Sequence, residues 1–319
     1  MSDYNSIRGQ TIAINPSTSP LMSGGNSRIF YNSFNPSAFV AYTDPSSAGV
    51  WTETGRKSYF SNSSPVFGTQ TSAVLAGGGT PPFGSAVSVC EEYDGRIFST
   101  VINAPRSLNN SGALGTLTAG LVFQGTDSAK YNGSVWTAST NLPASYSYGA
   151  GCGTQTAALT CAGSFTGLPN LTLEFDGSVW SSGGNIINQR FEAGGCGTQT
   201  AGLCVGGRDP TNPTGTAFTE EYDGSVWAAG SAIPFAKTNY GLAGTQTAAL
   251  AFGGPGSPLG LAAKYDGSVW SATTSGPSSI ANEAGCGSQQ AALAVGSIPA
   301  FSGKFDEPGN QIKRLTVSF

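Results

Sequence analysis

The polar and apolar positions along this chain alternate over short distances, and the same alternation returns many times. The stretch from Ala243 to Trp270, AGTQTAALAFGGPGSPLGLAAKYDGSVW, shows the unit. From Thr245 to Phe252 it carries no charge. Strand spacing puts Thr245, Thr247, Ala249 and Ala251 on one face and Gln246, Ala248, Leu250 and Phe252 on the other. Such a run predicts a strand buried on both faces. The Gly253-Gly254 pair that closes it lets the chain turn out of a packed layer. The second half of the unit sets Tyr265 and Trp270 on either side of Asp266-Gly267. Asp-Gly between β-forming flanks predicts a hairpin, read here as a two-residue type I′ turn.

Copies of the first half begin at Gly68, Gly115, Gly153, Gly197, Gly244 and Gly287, at intervals of 47, 38, 44, 47 and 43 residues. A period of about 44 falls in the range of propeller blades. The second half recurs at Asp94, Asn132, Asp176, Asp223 and Asp266, with Trp136, Trp180, Trp227 and Trp270 closing four copies and Phe98 the other. A worn copy begins at Phe305-Asp306, and another ends at Gly49-Val50-Trp51. All five tryptophans hold this one position. The expected architecture is an all-β propeller of seven four-stranded blades, at about 25–66, 67–112, 113–150, 151–194, 195–241, 242–284 and 285–319. The alternative is six blades, with 25–66 supplying strands to the last. The alternating tail from Ile312 to Phe319 reads as an outer or closing strand. Residues 1–24 carry no repeat and read as an arm that docks on a neighbouring subunit or virion protein.

Composition narrows the function more than the fold. Only 10% of residues are charged, 46 are Gly, and the net charge is −4. No Lys/Arg run offers a phosphate-binding footprint, so nucleic acid is not an expected partner. No apolar stretch reaches membrane-spanning length, and the first ten residues lack the layout of a secretory signal. Histidine is absent, which removes His-based nucleophile chemistry and imidazole metal sites. The six cysteines show no CxxC. Cys152, Cys196 and Cys286 share a repeat position that holds Ala243 in another copy, which fits small buried thiols. A disulfide between neighbouring blades is the alternative, and a metal site is the least favoured. No metal and no cofactor is expected.

The recurrent acids Asp94, Asp176, Asp223 and Asp266 sit in the hairpin turns, where their side chains stabilise the turn. Glu91, Glu92, Glu174, Glu220 and Glu221 precede the same turns and read as solvated strand positions. Gln70, Gln155, Gln199, Gln246 and Gln289 recur at one site, either bonding between adjacent inner strands or lining a central channel. Arg106, Arg190 and Lys237 precede the Gly-Thr-Gln elements and are expected to pair across blades, with a ligand-binding rim as the other use. No carboxylate pair stands out as a glycosidase dyad, so an enzyme is not expected. The loops after the Gly-Gly vary most and would share one rim. Variable loops on a rigid scaffold suit recognition, and Phe83, Phe165, Arg208 and Asp209 are its candidate residues.

At its Gly-Gly, Tyr and Trp the unit resembles Kelch-type blades, although only four residues separate the Tyr from the Trp. It is more closely similar to the Gly-Thr-Gln-Thr-Ala-Ala-Leu-Ala-Phe-Gly-Gly and Glu-Glu-Tyr-Asp-Gly-Ser-Val-Trp repeat proteins of marine tailed phages, notably those of cyanobacteria. The likeness covers roughly residues 4–319, including Tyr4 to Gly9 and Ile29 to Ser33. It implies a virion structural protein, a tail fibre or similar appendage, assembled in the host cytoplasm beside other virion proteins. A homo-oligomer and a host-surface glycan or protein are the implied partners. A passive decoration protein and a glycan-cleaving propeller are the alternatives.

Overall fold

The computed structural model describes residues 28–31, 37–42, 49–59, 63–80, 85–165, 170–255, 260–276, 284–296, 302–307 and 311–316, with the strands in 28–42, 164–165 and 311–316 described by backbone alone. The expected arm, residues 1–24, and Phe83 lie outside the described residues. Among the described residues there is no helix. The chain forms two compact units, residues 48–307 and a small one built from residues 1–47 with 308–319.

The larger unit is a six-bladed β-propeller. Each blade is a four-stranded antiparallel sheet. Blade 1 comprises Val66–Thr69, Ser72–Gly79, Ala86–Tyr93 and Phe98–Val101. Blade 2 runs from Gly112–Thr116 to Trp136–Ala138, blade 3 from Ala150–Thr154 to Trp180–Ser182, blade 4 from Gly194–Thr198 to Trp227–Ala229, and blade 5 from Tyr240–Thr245 to Trp270–Ala272. Blade 6 takes Ala284–Gly287, Ala291–Val295 and Ser302–Asp306 from the end of the unit and Val50–Glu53 from its beginning. The first strand of every blade lies against the first strands of both neighbours, and this chain of contacts closes on itself.

Seven blades are therefore corrected to six. The two worn copies are halves of one hairpin: Phe305 faces Trp51, as Tyr131 faces Trp136, Phe175 faces Trp180, Tyr222 faces Trp227 and Tyr265 faces Trp270. Nor does the C-terminal tail close the ring. Gln311–Thr316 pairs with Ser37–Tyr42, which pairs with Arg28–Tyr31, in the three-stranded sheet of the small unit. Residues 28–42 thus form strands, as the sequence suggests, but no blade.

Two turn assignments also change. Gln246 and Thr247 are not strand residues but the two-residue turn between Thr245 and Ala248, which pair directly. The Gly before each such turn has φ between 102° and 124°. A Cβ there would meet the carbonyl oxygen four residues on, at 2.1 Å from Ala157, for example. Only Gly satisfies both constraints. The Asp-Gly element is a four-residue loop, because Tyr222 pairs with Trp227 and leaves Asp223 to Val226 between them. The Asp carboxylate holds it: Oδ1 of Asp223 accepts from the N–H groups of Ser225 and Val226 at 2.8 and 2.9 Å. Asp94, Asp176 and Asp266 do the same, and these bonds hold all four carboxyls below the usual range.

Blades cohere through side chains. In five of the six, the turn Gln spans the seam; in four of these its Nε2 donates to carbonyls of the second and third strands of the preceding blade, and Gln70 donates instead to a third-strand carbonyl and to the Asp306 carboxylate. Gln155 bonds Gly120 and Tyr131, Gln199 bonds Ala158 and Phe175, and Gln246 bonds Gly202 and Tyr222, all at 2.8–3.1 Å. Gln289 bonds Ala249 and Tyr265 in the same way, and Gln70 closes the ring on Phe305. In blade 2 the position is Leu117, packed against an apolar cluster instead.

A second set of contacts joins the residue before each closing aromatic to the aromatic of the next blade. Glu92 accepts from the Tyr131 hydroxyl at 2.6 Å, Glu174 from Tyr222 and Glu221 from Tyr265 at 2.5 Å. Where the first residue is Lys, the partner offers a ring face: Lys130 lies 5.1 Å from the Phe175 centroid, Lys264 5.3 Å from Phe305 and Lys304 5.7 Å from Tyr93. A carboxylate needs a hydroxyl donor and an ammonium needs π density, so the pairs match by chemistry all round the ring. The expectation that the strand glutamates are solvated fails here, most of all for Glu91 and Glu220, which are fully buried. Glu220 pairs with Arg190, whose side chain is equally buried, and accepts from the N–H groups of Ile187 and Asn188. The buried pair is thereby hydrogen-bonded on both sides, as such pairs must be.

This pairing rule is testable. Tyr222→Phe and Glu174→Lys should each destabilise the protein by about 1–2 kcal/mol in chemical denaturation, since each leaves a half-buried polar group without its partner. The double variant recreates the Lys130–Phe175 type of pair and should recover about 1 kcal/mol of the summed loss. Simple additivity would refute the rule.

Candidate functional site

The two faces of the propeller differ. One carries the Gln-Thr turns and the Asp-Gly loops, nearly the same in every blade. On the other, the loops that join one blade to the next meet the loops after each second strand. These are knitted by short backbone pairings: Val87 with Leu108, Gly125 with Tyr146, Phe191 with Arg208 and Thr216 with Lys237. A further pair of two-residue strands, Tyr146–Ser147 and Ser164–Phe165, lies on this face.

At its centre is a cavity of ≈ 120 Å³, lined where the first strands of the blades begin. Its walls include Ala113, Ala150, Gly151, Gly194, Gly195, Ala284 and Gly285. These are small residues, so the strands can surround the axis and still leave space. Round its rim stand Ser63, Asn110, Tyr148, Glu192 and Asn239, one per blade from 1 to 5. All five are left-handed, with φ of 49°, 54°, 59°, 60° and 50°. That conformation points each N–H to the preceding blade and each C=O to the next. Asn110 N–H donates to Ser63, Tyr148 to Asn110, Glu192 to Tyr148 and Asn239 to Glu192, at 3.3, 2.9, 2.5 and 2.7 Å. The rim is therefore a wheel whose five described residues are joined in series by four backbone bonds.

Its side chains remain. Among the described residues lining the cavity, Glu192 is the one that carries a charge. Its Oε1 accepts from Arg208 at 2.6 Å and its Oε2 from the Asn239 amide at 3.2 Å. Arg208 also lies over the Phe191 ring, 4.7 Å from its centroid. Tyr148 is 40% exposed.

The residues singled out from the sequence fall unevenly about this centre. Arg208 reaches it through Glu192. The backbone of Phe165 pairs with Tyr146, two residues before Tyr148. Asp209 caps its own loop, accepting from the backbone and side chains of Thr211 and Asn212. Those bonds hold its carboxyl at about 2. The wheel itself was not anticipated. Its position, five residues before each Gly of the Gly-Thr-Gln element, holds Ser63, Asn110, Tyr148, Glu192, Asn239 and Asn282, and its neighbours vary as well, so spacing alone does not mark it.

Of the cations expected to pair across blades, Arg190 does so with Glu220, Arg106 pairs with Asp127, and Lys237 donates to the Pro255 carbonyl at 3.0 Å. The glutamines do not line the cavity; of the two expected uses they take the hydrogen bonding between adjacent blades, reaching the second and third strands. They clamp outer backbone of the preceding blade, as described above. Cys161 and Cys204, in blades 3 and 4, are joined as a disulfide with Cα atoms 5.9 Å apart. Cys90, Cys152, Cys196 and Cys286 are free and buried. Burial pushes Cys90 up to about 11 and Cys152 and Cys286 up to about 12. These thiols are held protonated, the opposite of what a nucleophile or thiolate ligand requires. Among the described residues no group of three or more Cys, Asp or Glu is placed to hold a metal ion.

In comparisons with known proteins, the chain matches no family model and no curated protein.

The thiols set an alkaline limit. In the unfolded chain they ionise near pH 8.5, whereas in the propeller burial keeps them protonated. The folded state thus holds more protons above that pH, and stability falls as pH rises through 9 and beyond. Replacing Cys152, Cys196 and Cys286 by Ala, the residue blade 5 already uses there, should leave the neutral-pH melting temperature nearly unchanged. The same replacement should flatten the decline between pH 8 and 10.5, measured by thermal melts across pH. An equally steep decline would exclude the thiols as its cause.

Proposed function

We propose that this chain is a structural protein of a virion surface, a tail fibre or similar appendage, that meets a glycan or protein of the host surface with the loop face of its propeller. The observation that carries the reading is the asymmetry of the two faces. Five copies of an Asx-capped loop hold one face to a common pattern. The other face combines unlike loops with an axial cavity and varied side chains. Rigid scaffolds with variable loops at one end are suited to recognition. The likeness of the repeat to those of marine tailed phages supports the virion setting.

The ends of the propeller unit support the orientation. Val50 stands opposite Asp306, so the unit begins and ends where the other five blades carry their Asp-Gly or Asn-Gly loop. Chain entering and leaving the propeller does so at the uniform face. The same face exposes one aliphatic side chain per blade: Val50, Ile97, Val135, Val179, Val226 and Val269. Contact with other virion proteins is assigned to that face, and host contact to the loop face.

The reading also holds that the protein binds without cleaving. Every recurrent turn Asp is engaged by its own loop, and the buried glutamates are bonded within the scaffold.

Labelled protein should bind host cells, and its density should appear on the outside of intact particles by electron microscopy. Incubation with host capsule or lipopolysaccharide should release no reducing ends. Density without cell binding would indicate passive decoration. Release abolished by Glu192→Gln or Asp209→Asn would indicate an enzyme.

A further inference from the structure

The repeat needs positive φ at several positions and fills nearly all of them with Gly. The residue after the turn Asx is Gly95, Gly133, Gly177, Gly224 or Gly267, and the Gly before Thr-Gln is Gly in all six copies. The wheel breaks this habit. Among its residues, Asn tolerates the left-handed region, but Tyr148 and Glu192 are held there against the clash of their own Cβ. A chain with 46 glycines does not lack the alternative. The sixth copy of the position is Asn282 in the sequence, again not Gly. What the strain retains is side chains around the axis, and local strain of this kind gathers at functional sites.

Their chemistry specifies a ligand. Its described lining offers an exposed aromatic ring, two carboxamides, three serine hydroxyls, and one carboxylate whose charge is matched by Arg208. A ring with an apolar C–H face and several hydroxyls uses all of these. An anionic group would face Glu192 with no free cation among the lining residues. At ≈ 120 Å³ the space suits one sugar ring, and residues of all six blades line it, so entry is along the axis. We propose that the wheel binds a single terminal, uncharged sugar residue, with Tyr148 stacked on its C–H face and Glu192, Asn110 and Asn239 bonding its hydroxyls. This rests on the reading of the loop face as the recognition surface.

The strain makes the test two-sided. The full chain is titrated with methyl glycosides of glucose, galactose, mannose and N-acetylglucosamine, and with N-acetylneuraminic acid, by saturation-transfer NMR and calorimetry. At least one neutral glycoside should bind, and the anionic sugar should not. Tyr148→Gly should weaken binding by about tenfold, the loss of one aromatic contact, yet leave the melting temperature unchanged or raised, because Gly relieves the left-handed backbone. Asn110→Gly should behave likewise, and Val226→Ser, on the opposite face, should bind as the parent does. If no neutral glycoside binds, or if Tyr148→Gly and Asn110→Gly both bind as the parent does, the inference is overturned. Host-cell binding that persists in both variants and resists neutral glycosides overturns it too, while sparing the loop face as the recognition surface. Glycoside binding without any cell binding supports the wheel and overturns the host-surface reading.

Discussion

The ring stands on contacts between blades, and these are made by side chains. Hydrogen bonding within a blade satisfies its own strands and leaves a stack of separate sheets. What converts six sheets into one ring is the turn glutamine, which places an amide across each of five seams and, at four of them, satisfies two carbonyls of the preceding blade. A buried carbonyl left without a donor costs roughly 1–3 kcal/mol, so the five clamps are a large share of what holds the ring closed. The Glu–Tyr and Lys–aromatic contacts add a second row farther out. They are selective on the glutamate side, since a carboxylate cannot use a phenylalanine, whereas the lysines lie over Phe175, Phe305 and Tyr93 alike.

That constraint reaches the site. With the first strands fixed side by side, their starting residues must meet around the axis. The left-handed wheel is how their backbone groups are satisfied there. Small residues on the strands behind it keep the centre open. The cavity and its rim are therefore products of closure, and the loop face inherits a hydrogen-bonded centre with unlike loops around it.

Much of this was legible in the sequence. Repeated Tyr-Asp-Gly and Gly-Thr-Gln elements carry local turn chemistry, and local chemistry is what spacing reveals. Blade number was not, because Trp51 and Phe305 belong to one hairpin whose halves lie at opposite ends of the unit; counted separately they make a seventh blade. The burial of Glu91 and Glu220 was missed because an acid in a strand looks solvated until the cation beside it is known, and Arg190 comes from a loop 30 residues away. The wheel was missed for the reverse reason: repeat detection rewards sameness, and these positions differ. Arg208 was found through its variable loop, though its contact with Glu192 was not foreseeable.

The seam in blade 6 has a consequence for descent. Ser37–Tyr42 and Gln311–Thr316 form an antiparallel pair, and the entire propeller is the excursion between them. Both ends of that excursion meet at one turn position, and every internal blade is a contiguous stretch of chain. Duplication or loss of a whole copy would then change the circumference of the ring without moving either point of attachment. Recombination among similar repeats can exchange the loop face as a cassette, while the small sheet and the split blade stay as they are.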